Sequence, residues 1–527
     1  MIFRGPYEDV SIPEVSLPNF VFEGAMRRAD VPALIDGLTG RTYTYGQLNE
    51  AVSRVAAGLA ARGFSKGDVF AIFSPNLPEY AVIFYAVARL GGINTTVNPL
   101  YTADELAHQL RDADAKFLIT VPPFIDKATE AVRASSVREL FVFGEAEGAT
   151  SFSELLETDG TEAPAVEINP RQDLVALPFS SGTTGMAKGV MLTHYNMVAN
   201  LCQIDASKHA SEGDTLVCVL PLFHIYGMTV IMSFGLYKGA TLITMPRFDL
   251  EQLLRLIEQH GVTMAHFVPP IVLALTKHPS VDNYNLSKLD TIFSAAAPLG
   301  AEMARAASQR LGCHIKQGYG MTEASPATHM APHDAQWQKY GSVGMPVSNT
   351  ECKIIDTQTG AELGTDEEGE ILIRGPQIMK GYLNNPEATA QSIDAEGWLH
   401  TGDIGYVDAD GAFFIVDRAK ELIKYKGFQV APAEIEAILL AHPSVADAAV
   451  IPCPDDEAGE VPKAFIVARH DDLDADEIMA FVAARVAPYK KLRKLEIIEQ
   501  IPKSPSGKIL RRLLVQRERE GAGKSSQ

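Results

Sequence analysis

The sequence predicts an α/β protein with a large N-terminal domain of stacked α/β sheets, a β-rich subdomain and a small α+β C-terminal domain. The chain has 527 residues, which is more than one ordinary hydrophobic core accommodates. In its first half, apolar residues at helical spacing alternate with short apolar runs, as in parallel sheets covered by helices. Beyond Thr350, short strand-like runs are separated by Gly, Asp and Asn, which indicates a β-rich segment.

The first α/β layer is predicted between Gln47 and Phe143. Apolar residues recur at helical spacing from Leu48 to Leu59, and the apolar run Val69–Phe73 then indicates a buried strand. The same alternation continues to the end of the layer. Its further helices are predicted at 79–89 and 126–135, and its further strands at 117–120 and 140–143.

A second α/β layer and the β-rich subdomain follow along the chain. Strand-like runs accompany a helical segment at 250–259, which indicates another parallel sheet. These runs lie at 174–179, 216–220, 241–244 and 263–268. The strands of the β-rich subdomain are predicted at 370–374, 398–403 and 412–417.

The charged segment 417–421 marks the predicted domain boundary. We place the N-terminal domain at 1–417, a hinge at 418–420 and a C-terminal lid domain at 421–527. The lid domain has a normal size for a domain and the signals of a compact α+β fold. Its helices are predicted at 433–441 and 475–486, and its strands at 446–451 and 464–468.

Composition disfavours several classes of protein. Acidic residues outnumber basic ones by 66 − 46 = 20, so we expect no general attraction to nucleic acid. No apolar run approaches about 18 residues, and the N-terminal segment lacks the apolar stretch of a signal peptide, so we expect no membrane span. The five cysteines are scattered without a CxxC pair, which favours a reduced, cytoplasmic protein.

A Gly/Ser/Thr-rich loop, FSSGTTGMAKG at 179–189, follows a predicted strand. Small residues let backbone N–H groups and hydroxyls approach phosphate oxygens, and Lys188 adds positive charge. The loop does not fit GxxxxGK[ST], because Gly189 follows the lysine and the hydroxyls precede it. Taken alone, such a loop is more often a flexible turn, so its interpretation depends on the rest of the chain.

The segment SSGTTGMAKGVMLTH at 180–194 closely resembles the phosphate loop of adenylate-forming enzymes, the superfamily of acyl-CoA synthetases, peptide-synthetase adenylation domains and beetle luciferases. Further segments agree in order and spacing, so the resemblance covers nearly the whole chain. They are QGYGMTE at 317–323, GEILIRGPQIMKGYL at 369–383, GWLHTGD at 397–403, DRAKELIKYKGFQVAPAEIE at 417–436 and PKSPSGKILRR at 502–512.

The resemblance implies an ATP-dependent carboxylic acid:CoA ligase, which forms an acyl-adenylate and pyrophosphate, and then an acyl-CoA and AMP. Its partners would be a small carboxylic acid, ATP and coenzyme A, while its oligomeric state stays open between monomer and homodimer. Thr184 and Glu323 match the residues that place Mg²⁺, which prefers oxygen ligands and substrate phosphates. Residues that match the family's ATP and AMP contacts are Ser181, Gly182, Thr183, Thr184, Gly185, Lys188, Ala296, Gln317, Gly318, Tyr319, Thr322, Asp403 and Arg418.

The resemblance assigns the chemical steps to four residues. His224 stands where the family has a histidine beside the acyl carboxylate, and Lys508 where a lysine bridges that carboxylate and the α-phosphate. Lys424 and Gln429 match the segment that serves thioester formation. Removal of the charge of Lys508 by acylation is a possible control of such a lysine.

A mobile lid follows from the positions of the two lysines. Lys508 and Lys424 belong to one small domain, so a single placement is not expected to bring both into the same site. We therefore predict that the lid turns about Lys420, with one pose for adenylation and another for attack by the thiol. Lys426 and Gly427 match the residues that bind CoA.

The acyl pocket resembles that of the 4-coumarate:CoA ligase group, including bacterial cinnamate and coumarate ligases. Matching segments are FHIYGMT at 223–229, SAAAPLG at 294–300 and QGYGMTEASPATH at 317–329. Plant members often have lysine in place of Phe293 and glycine in place of Ala295, which favours cinnamate or 4-coumarate over bulkier methoxylated acids. The predicted pocket residues are Ile225, Tyr226, Thr229, Phe293, Ala295, Ala297, Gly318, Gly320, Pro326 and Ala327.

Other functions stay open at this point. A ligase for medium- or long-chain fatty acids is the main alternative, because one methylene group in an apolar pocket changes binding by only about 1–3 kcal/mol. A luciferase-like oxygenase, a peptide-synthetase adenylation domain and a non-catalytic nucleotide-binding protein are less favoured. The joint presence of Thr184, Glu323, Asp403, Lys424 and Lys508 argues against the non-catalytic alternative.

Overall fold

The computed structural model describes residues 1–180, 187–333, 337, 339–426, 428–455, 458–470, 473–505 and 507–524, with 520–524 described by their backbone only. It confirms the predicted α/β class, since a large N-terminal domain of sheets and helices precedes a smaller C-terminal domain with an antiparallel sheet. Within these residues, no helix has both the length and the apolar character that crossing a membrane requires.

The strands of the described residues form four sheets and are numbered here in chain order. The strands up to β14 are β1 (Pro32–Asp36), β2 (Thr42–Thr44), β3 (Val69–Phe73), β4 (Ile93–Thr96), β5 (Ala115–Thr120), β6 (Glu139–Val142), β7 (Thr150–Ser151), β8 (Leu174–Ala176), β9 (Phe179–Ser180), β10 (Lys188–Thr193), β11 (Thr215–Cys218), β12 (Thr241–Thr244), β13 (Met264–Phe267) and β14 (Thr291–Ser294). The others are β15 (His314–Gly320), β16 (Ala327–Met330), β17 (Met345–Pro346), β18 (Glu351–Ile355), β19 (Gly369–Arg374), β20 (Gly381–Tyr382), β21 (Leu399–Val407), β22 (Phe413–Arg418), β23 (Ile423–Tyr425), β24 (Phe428–Val430), β25 (Val445–Asp455), β26 (Gly459–Ala468) and β27 (Lys494–Ile497).

The α-helices are numbered in the same way. They are α1 (Leu17–Val21), α2 (Tyr45–Ala61), α3 (Pro78–Arg89), α4 (Ala103–Asp112), α5 (Ile125–Arg133), α6 (Phe152–Leu156), α7 (His194–Ala206), α8 (Phe234–Lys238), α9 (Leu250–His260), α10 (Pro269–Lys277), α11 (Ala301–Leu311), α12 (Pro386–Ser392), α13 (Pro432–Ala441), α14 (Ala475–Ala483) and α15 (Arg511–Lys524). A π-helix covers Tyr226–Ser233, and short 3-10 helices cover Ala25–Arg28, Pro122–Phe124, Gly160–Glu162, Pro279–Asn283, Thr322–Ala324 and Pro488–Lys490.

Sheet A contains the strands of the first predicted α/β layer. It also contains the run 174–179, which was predicted for the second layer. Its strands follow the order β20-β10-β8-β4-β3-β5-β6-β7, and β9 pairs with β10. Strands β3 to β8 run parallel to one another, whereas β10 is antiparallel to β8, β9 and β20. The antiparallel end therefore brings β10 beside Tyr382.

Sheet B is the second layer, in the order β17-β16-β15-β14-β13-β11-β12-β1-β2. Its central strands from β15 to β1 are parallel, so their carboxyl ends meet at one edge of the sheet. Helix α3 shares one hydrophobic core with strands of both sheets, and its large residues Tyr80, Phe84 and Tyr85 are fully buried. A helix that is apolar on all sides needs such a position between two layers.

Two smaller sheets complete the fold. Sheet C, the β-rich subdomain, has the antiparallel order β18-β19-β21-β22 and ends at Arg418. Sheet D belongs to the C-terminal domain, where β24, β23, β26 and β25 are antiparallel neighbours and β27 runs parallel to β26. Sheet D begins at Ile423, so the predicted hinge lies where the chain leaves sheet C.

One predicted strand is divided in the structure. The run 174–179 forms β8 and β9, which are separated at Leu177 and Pro178. Proline has no backbone N–H and cannot donate to a strand ladder, which interrupts the pairing there. Ser180 faces Lys188 across the β9–β10 pair.

Candidate active site

The candidate site lies at the carboxyl ends of four neighbouring strands of sheet B. β11 leads to the loop of His224, β13 to Val268, β14 to Ala296, and β15 carries Tyr319 near its own end. Open α/β sheets bind their ligands at this edge, because the loops that leave parallel strands converge there. Residues from distant parts of the chain are thereby brought to one place.

A buried carboxylate forms one side of the site. The Tyr319 hydroxyl donates to Asp403 Oδ2 at 2.5 Å, and Arg418 Nε lies 3.3 Å from Asp403 Oδ1. Asp403 and Arg418 are register partners on β21 and β22. Burial raises the pKa of the Asp403 carboxyl, although the Arg418 guanidinium beside it acts in the opposite direction. Tyr319 and Arg418 thus hold the Asp403 carboxylate in a fixed position, from which it can accept hydrogen bonds from a diol.

Glu323 forms a second buried acidic group. Ser180 Oγ and the Tyr382 hydroxyl both donate to its Oε1, at 3.0 and 2.9 Å. Lys188 Nζ lies 5.0 Å from the centre of the Tyr382 ring. The two ends of the phosphate loop are therefore anchored beside this carboxylate. Five residues predicted to bind ATP lie outside the described residues, namely Ser181, Gly182, Thr183, Thr184 and Gly185. Gly427, which was predicted to bind CoA, also lies outside them.

Lys508 of the lid domain reaches this site. It lies in a turn in which its backbone N–H donates to Ser504 Oγ at 3.1 Å and its carbonyl accepts from the Ser504 N–H at 2.8 Å. Burial and the charge of Arg418 lower the pKa of the Lys508 ammonium. The carboxylates of Asp403 and Glu323 oppose this shift. One cation from the lid is therefore enclosed with the charged groups of the large domain.

His224 is neutral and has a defined tautomer. Burial, followed by the charge of Lys508, lowers its pKa to about 3. The backbone N–H of Tyr226 donates to His224 Nδ1 at 3.3 Å, so the ring proton must reside on Nε2. The ring can therefore donate one hydrogen bond from Nε2 to an anionic group, such as a carboxylate.

Helix α13 docks the lid on the large domain through both of its ends. Asp417 Oδ2 accepts from the Ala433 N–H at 3.0 Å, and Lys277 Nζ donates to the Leu440 carbonyl at 2.7 Å. A carboxylate at the amino end and a cation at the carboxyl end both complement the helix dipole. The large domain thus supplies a partner of the correct sign at each end.

Two glycines lie at close contacts between the domains. A Cβ atom at Gly300 would lie 3.2 Å from Ala437 Cβ in the middle of α13. A Cβ atom at Gly507 would lie 2.9 Å from Val268 Cγ2. The turn before Lys508 therefore lies directly on the end of β13.

The residues predicted for thioester formation lie elsewhere in this pose. Lys424 and Gln429 are exposed register partners on the β23–β24 hairpin, and Lys426 is exposed in the turn between them. Lys508 is in the site while Lys424 remains at the surface, which is the arrangement expected for the adenylation pose. The turn of the lid about Lys420 stays a prediction.

The predicted nucleotide-binding residues of β14 and β15 are interconnected. Gln317 Oε1 accepts from the Leu299 N–H, and Gln317 Nε2 donates to the Leu299 carbonyl, each at 3.2 Å. This brace closes the loop that contains Ala296, whose φ is +72°. Gly318 is in β15, and Thr322 begins the following 3-10 helix.

The predicted acyl-pocket residues come from several elements, including the end of β14 and the end of β15. Phe293 and Ala295 lie on one face, because Ala295 continues the ladder by donating its N–H to the Phe267 carbonyl at 3.3 Å. Around the end of β15, a Cβ atom at Gly320 would lie only 2.1 Å from the Pro326 carbonyl oxygen. The remaining predicted residues are Ile225, Tyr226 and Thr229 near or within the π-helix, Ala297 after β14, and Ala327 at the start of β16.

Sequence reasoning missed several residues that shape the site. Ser180 and Tyr382 hold Glu323, yet neither was assigned a role, although both lie in the recognised segments. His266 was also missed, and it forms a hydrogen bond with Tyr226 at 3.1 Å. It stands in a predicted buried strand, where a single histidine gives no periodic signal, and only the pairing of β13 with β14 could have drawn attention to it.

Replacement of Gly507 by alanine tests the fit of the lid turn. The φ of Gly507 is +78°, and the added methyl group would collide with Val268, so we expect the rate of acyl-adenylate formation to fall roughly 10- to 100-fold. The measurement is acid-dependent exchange of pyrophosphate into ATP. Gly459→Ala is the matched control, because Gly459 has a φ of +80° but its Cβ position is 3.6 Å from the nearest atom, the Lys424 carbonyl oxygen. Equal losses in both variants would contradict the docking role.

The sequence matches the AMP-binding enzyme family over residues 21–383 and the AMP-binding enzyme C-terminal domain over residues 434–508. The chain belongs to this family. These matches extend across both domains and include the segment 180–194, Glu323 and Lys508, whereas Asp403 and Arg418 lie between the two matched ranges.

Relatives give a narrower class. The 4-coumarate–CoA ligase 5 of Oryza sativa subsp. japonica is 46% identical over 521 residues, which cover 97% of this chain and 96% of that protein. The 4-coumarate–CoA ligase 1 of Solanum tuberosum is 46% identical over 539 residues, which cover 100% and 98%. An anthranilate CoA ligase in complex with anthranoyl-AMP has a TM-score of 0.89 at 27% identity, covering 98% of this chain and 99% of that one. This protein is thus an ATP-dependent, AMP-forming acid:CoA ligase.

Proposed function

We propose that this ligase activates phenylpropanoid acids, with 4-coumarate or cinnamate as substrate. The observation that carries the proposal is the buried row formed by Tyr226, His266 and Phe293, which lies beside the site that encloses His224 and Lys508. Aromatic rings and one pair of polar groups suit a flat acid with a small ring substituent. The methyl group of Ala295, which narrows the slot relative to glycine, and the apolar Phe293 favour such a ring over a bulkier methoxylated one.

In the first half-reaction, charge develops where the acyl carboxylate attacks the α-phosphate. Lys508 bridges these two anions, and His224 donates from Nε2 to the carboxylate, so their repulsion is reduced. Asp403 accepts hydrogen bonds from the ribose hydroxyls, with Arg418 beside it. Tyr319 provides a flat surface for adenine while its hydroxyl orients Asp403.

Phosphate binding is assigned to the loop 181–185 and to Lys188, next to Glu323. The Glu323 carboxylate receives two hydroxyl donors on Oε1, while Oε2 accepts no hydrogen bond from another described residue, so one oxygen suits a hard cation. Mg²⁺ bound there with Thr184 and the ATP phosphates would neutralise the charge of the departing pyrophosphate.

In the second half-reaction, the lid turns about Lys420. Lys508 leaves the site, and the hairpin that carries Lys424, Lys426 and Gln429 takes its place. These residues are exposed in the present pose and would enter the site after such a turn. The thiol of CoA then attacks the acyl carbonyl carbon and AMP departs.

The unpaired state of the chain's cysteines agrees with a reducing, cytoplasmic location.

A comparison of acids tests the substrate assignment. We expect kcat/KM for 4-coumarate and cinnamate to exceed that for octanoate and palmitate by at least about tenfold, because a flat ring fills the slot that a flexible chain leaves partly empty. The measurement is the formation of each CoA thioester under identical conditions. A clear preference for either fatty acid would support the fatty acid:CoA ligase instead.

The variant Ala295→Gly is a matched probe of the same slot. Removal of one methyl group should raise the use of methoxylated cinnamates relative to 4-coumarate, whereas it should change octanoate turnover little. Unaltered relative rates would place Ala295 outside the acyl pocket.

A further inference from the structure

His266 lies on the face of sheet B that carries the predicted acyl pocket. It is the register partner of Phe293 on the neighbouring parallel strand. Register partners on adjacent strands carry their side chains on the same face, and Ala295 lies two residues further on that face. The imidazole therefore stands beside the slot that Phe293 and Ala295 are assigned to line.

The ring of His266 is fixed by aromatic neighbours. It stacks on Phe293 with centroids 5.6 Å apart and an interplanar angle of 18°. His209 packs edge-on against Phe293, with centroids 4.7 Å apart. His209 is itself held, because its Nε2 lies 2.7 Å from the Ala331 carbonyl oxygen. The orientation of the imidazole is therefore set by packing as well as by its hydrogen bond.

His266 and Tyr226 form a buried polar pair. His266 Nδ1 lies 3.1 Å from the Tyr226 hydroxyl oxygen, and the residues are only 4% and 8% exposed. Burial lowers the pKa of His266 to about 4, so the ring is neutral near pH 7 and retains an acceptor nitrogen. A phenol is a stronger donor than a neutral imidazole N–H, so Tyr226 donates to His266. The lone pairs of the tyrosine oxygen are then left to accept another hydrogen bond.

We propose that His266 is a specificity-determining residue for ring-hydroxylated acids. By accepting the Tyr226 proton, it orients the tyrosine oxygen to accept a hydrogen bond from the phenolic hydroxyl of the substrate. The resulting series of hydrogen bonds runs from the substrate hydroxyl to Tyr226 and on to His266, and each hydrogen bond polarises the next. It supplies a polar partner next to Phe293, where an apolar side chain offers none. This inference depends on the proposed aromatic substrate.

The donor-to-acceptor direction of these hydrogen bonds predicts which ring substituents are favoured. A 4-hydroxyl group can donate to Tyr226, whereas a 4-methoxy group has no proton and cinnamate has no polar group. We expect wild-type kcat/KM for 4-coumarate to exceed that for both analogues by roughly five- to tenfold. The preference should be modest, because Tyr226 and His266 remain paired with each other when cinnamate is bound.

Variants of His266 isolate its contribution. In His266→Leu, the ratio of kcat/KM for 4-coumarate to that for cinnamate should fall to near one, because cinnamate has no hydroxyl group that could use the Tyr226–His266 pair. His266→Gln should largely retain the ratio, since its amide oxygen can accept from Tyr226. His209→Leu is the packing control, because it disturbs Phe293 without touching Tyr226 and should affect both acids alike.

Two outcomes would overturn this inference alone: His266→Leu keeps the ratio, or the wild type uses 4-methoxycinnamate as well as 4-coumarate. The second measurement needs no variant and is decisive even if His266→Leu fails to fold. Turnover of fatty acids without turnover of any aromatic acid would instead overturn the proposed substrate class, and the role of His266 with it.

Discussion

Replacement of Lys508 by alanine is expected to reduce acyl-adenylate formation by roughly a thousandfold, which is the scale for losing one preorganised group that stabilises transition-state charge. Lys508 is the lid cation enclosed with Asp403 and Glu323, and it also influences His224. Acid-dependent exchange of pyrophosphate into ATP measures this half-reaction. Conversion of chemically prepared acyl-adenylate to acyl-CoA should be nearly unchanged, since that step does not use Lys508.

The variant Arg512→Ala is the matched control for this prediction. It removes a positive charge from the same segment, but Arg512 is exposed at the start of α15. Its pyrophosphate exchange should stay within about twofold of wild type, as is usual for surface substitutions. If Lys508→Ala slowed both half-reactions equally, or neither, the assignment of the lysine to adenylation would be wrong.

A disulfide between the domains is expected to separate the two half-reactions. The ideal Cβ of Gly300 lies 3.2 Å from Ala437 Cβ, a few tenths of an ångström short of the usual disulfide spacing of about 3.5–4.5 Å. Gly300 has a φ of −59°, so cysteine fits its backbone. In the oxidised double variant Gly300→Cys/Ala437→Cys, pyrophosphate exchange should persist within about threefold, whereas acyl-CoA formation should fall at least about a hundredfold.

Reduction provides the internal control for the cross-link. Dithiothreitol should restore acyl-CoA formation, and the two single variants should respond to neither oxidant nor reductant. The native cysteines are unpaired, and four of them, Cys218, Cys313, Cys352 and Cys453, are buried, so they compete little for the new pair. Undiminished acyl-CoA formation by the fully oxidised double variant would mean that the lid does not need to leave this pose.

Local patterns predicted most of the secondary structure. Strands Val69–Phe73 and Thr241–Thr244 have the predicted bounds, because each is a short apolar or β-branched run between turn residues. The division of the 174–179 run at Pro178 was not predicted, although proline carries the physical reason. Pairing was harder to foresee: β1 joins β12 of the second layer, and that contact depends on tertiary packing rather than on local sequence.

The site was predictable only where a motif carried it. Asp403 and Arg418 were both assigned to nucleotide binding through the recognised segments, and the structure places Arg418 Nε 3.3 Å from Asp403 Oδ1. Tyr382 and His266 were not assigned, because their roles arise from strands that meet across the fold. The placement of Lys508 against Val268 likewise depends on how two domains dock, which no local pattern encodes.

The two-ended attachment of α13 has a consequence for how the enzyme proceeds through its cycle. Asp417 and Lys277 contact Ala433 and Leu440, which are seven residues apart and therefore about 10 Å apart along the helix axis. Breaking one of these contacts leaves the other in place, and the helix cannot rotate about either contact without tilting away from the large domain. We therefore expect the two contacts to open together when the lid leaves this pose, with intermediate tilts of the helix sparsely populated. The contacts of α13 would then keep the reactive adenylate covered until both have opened.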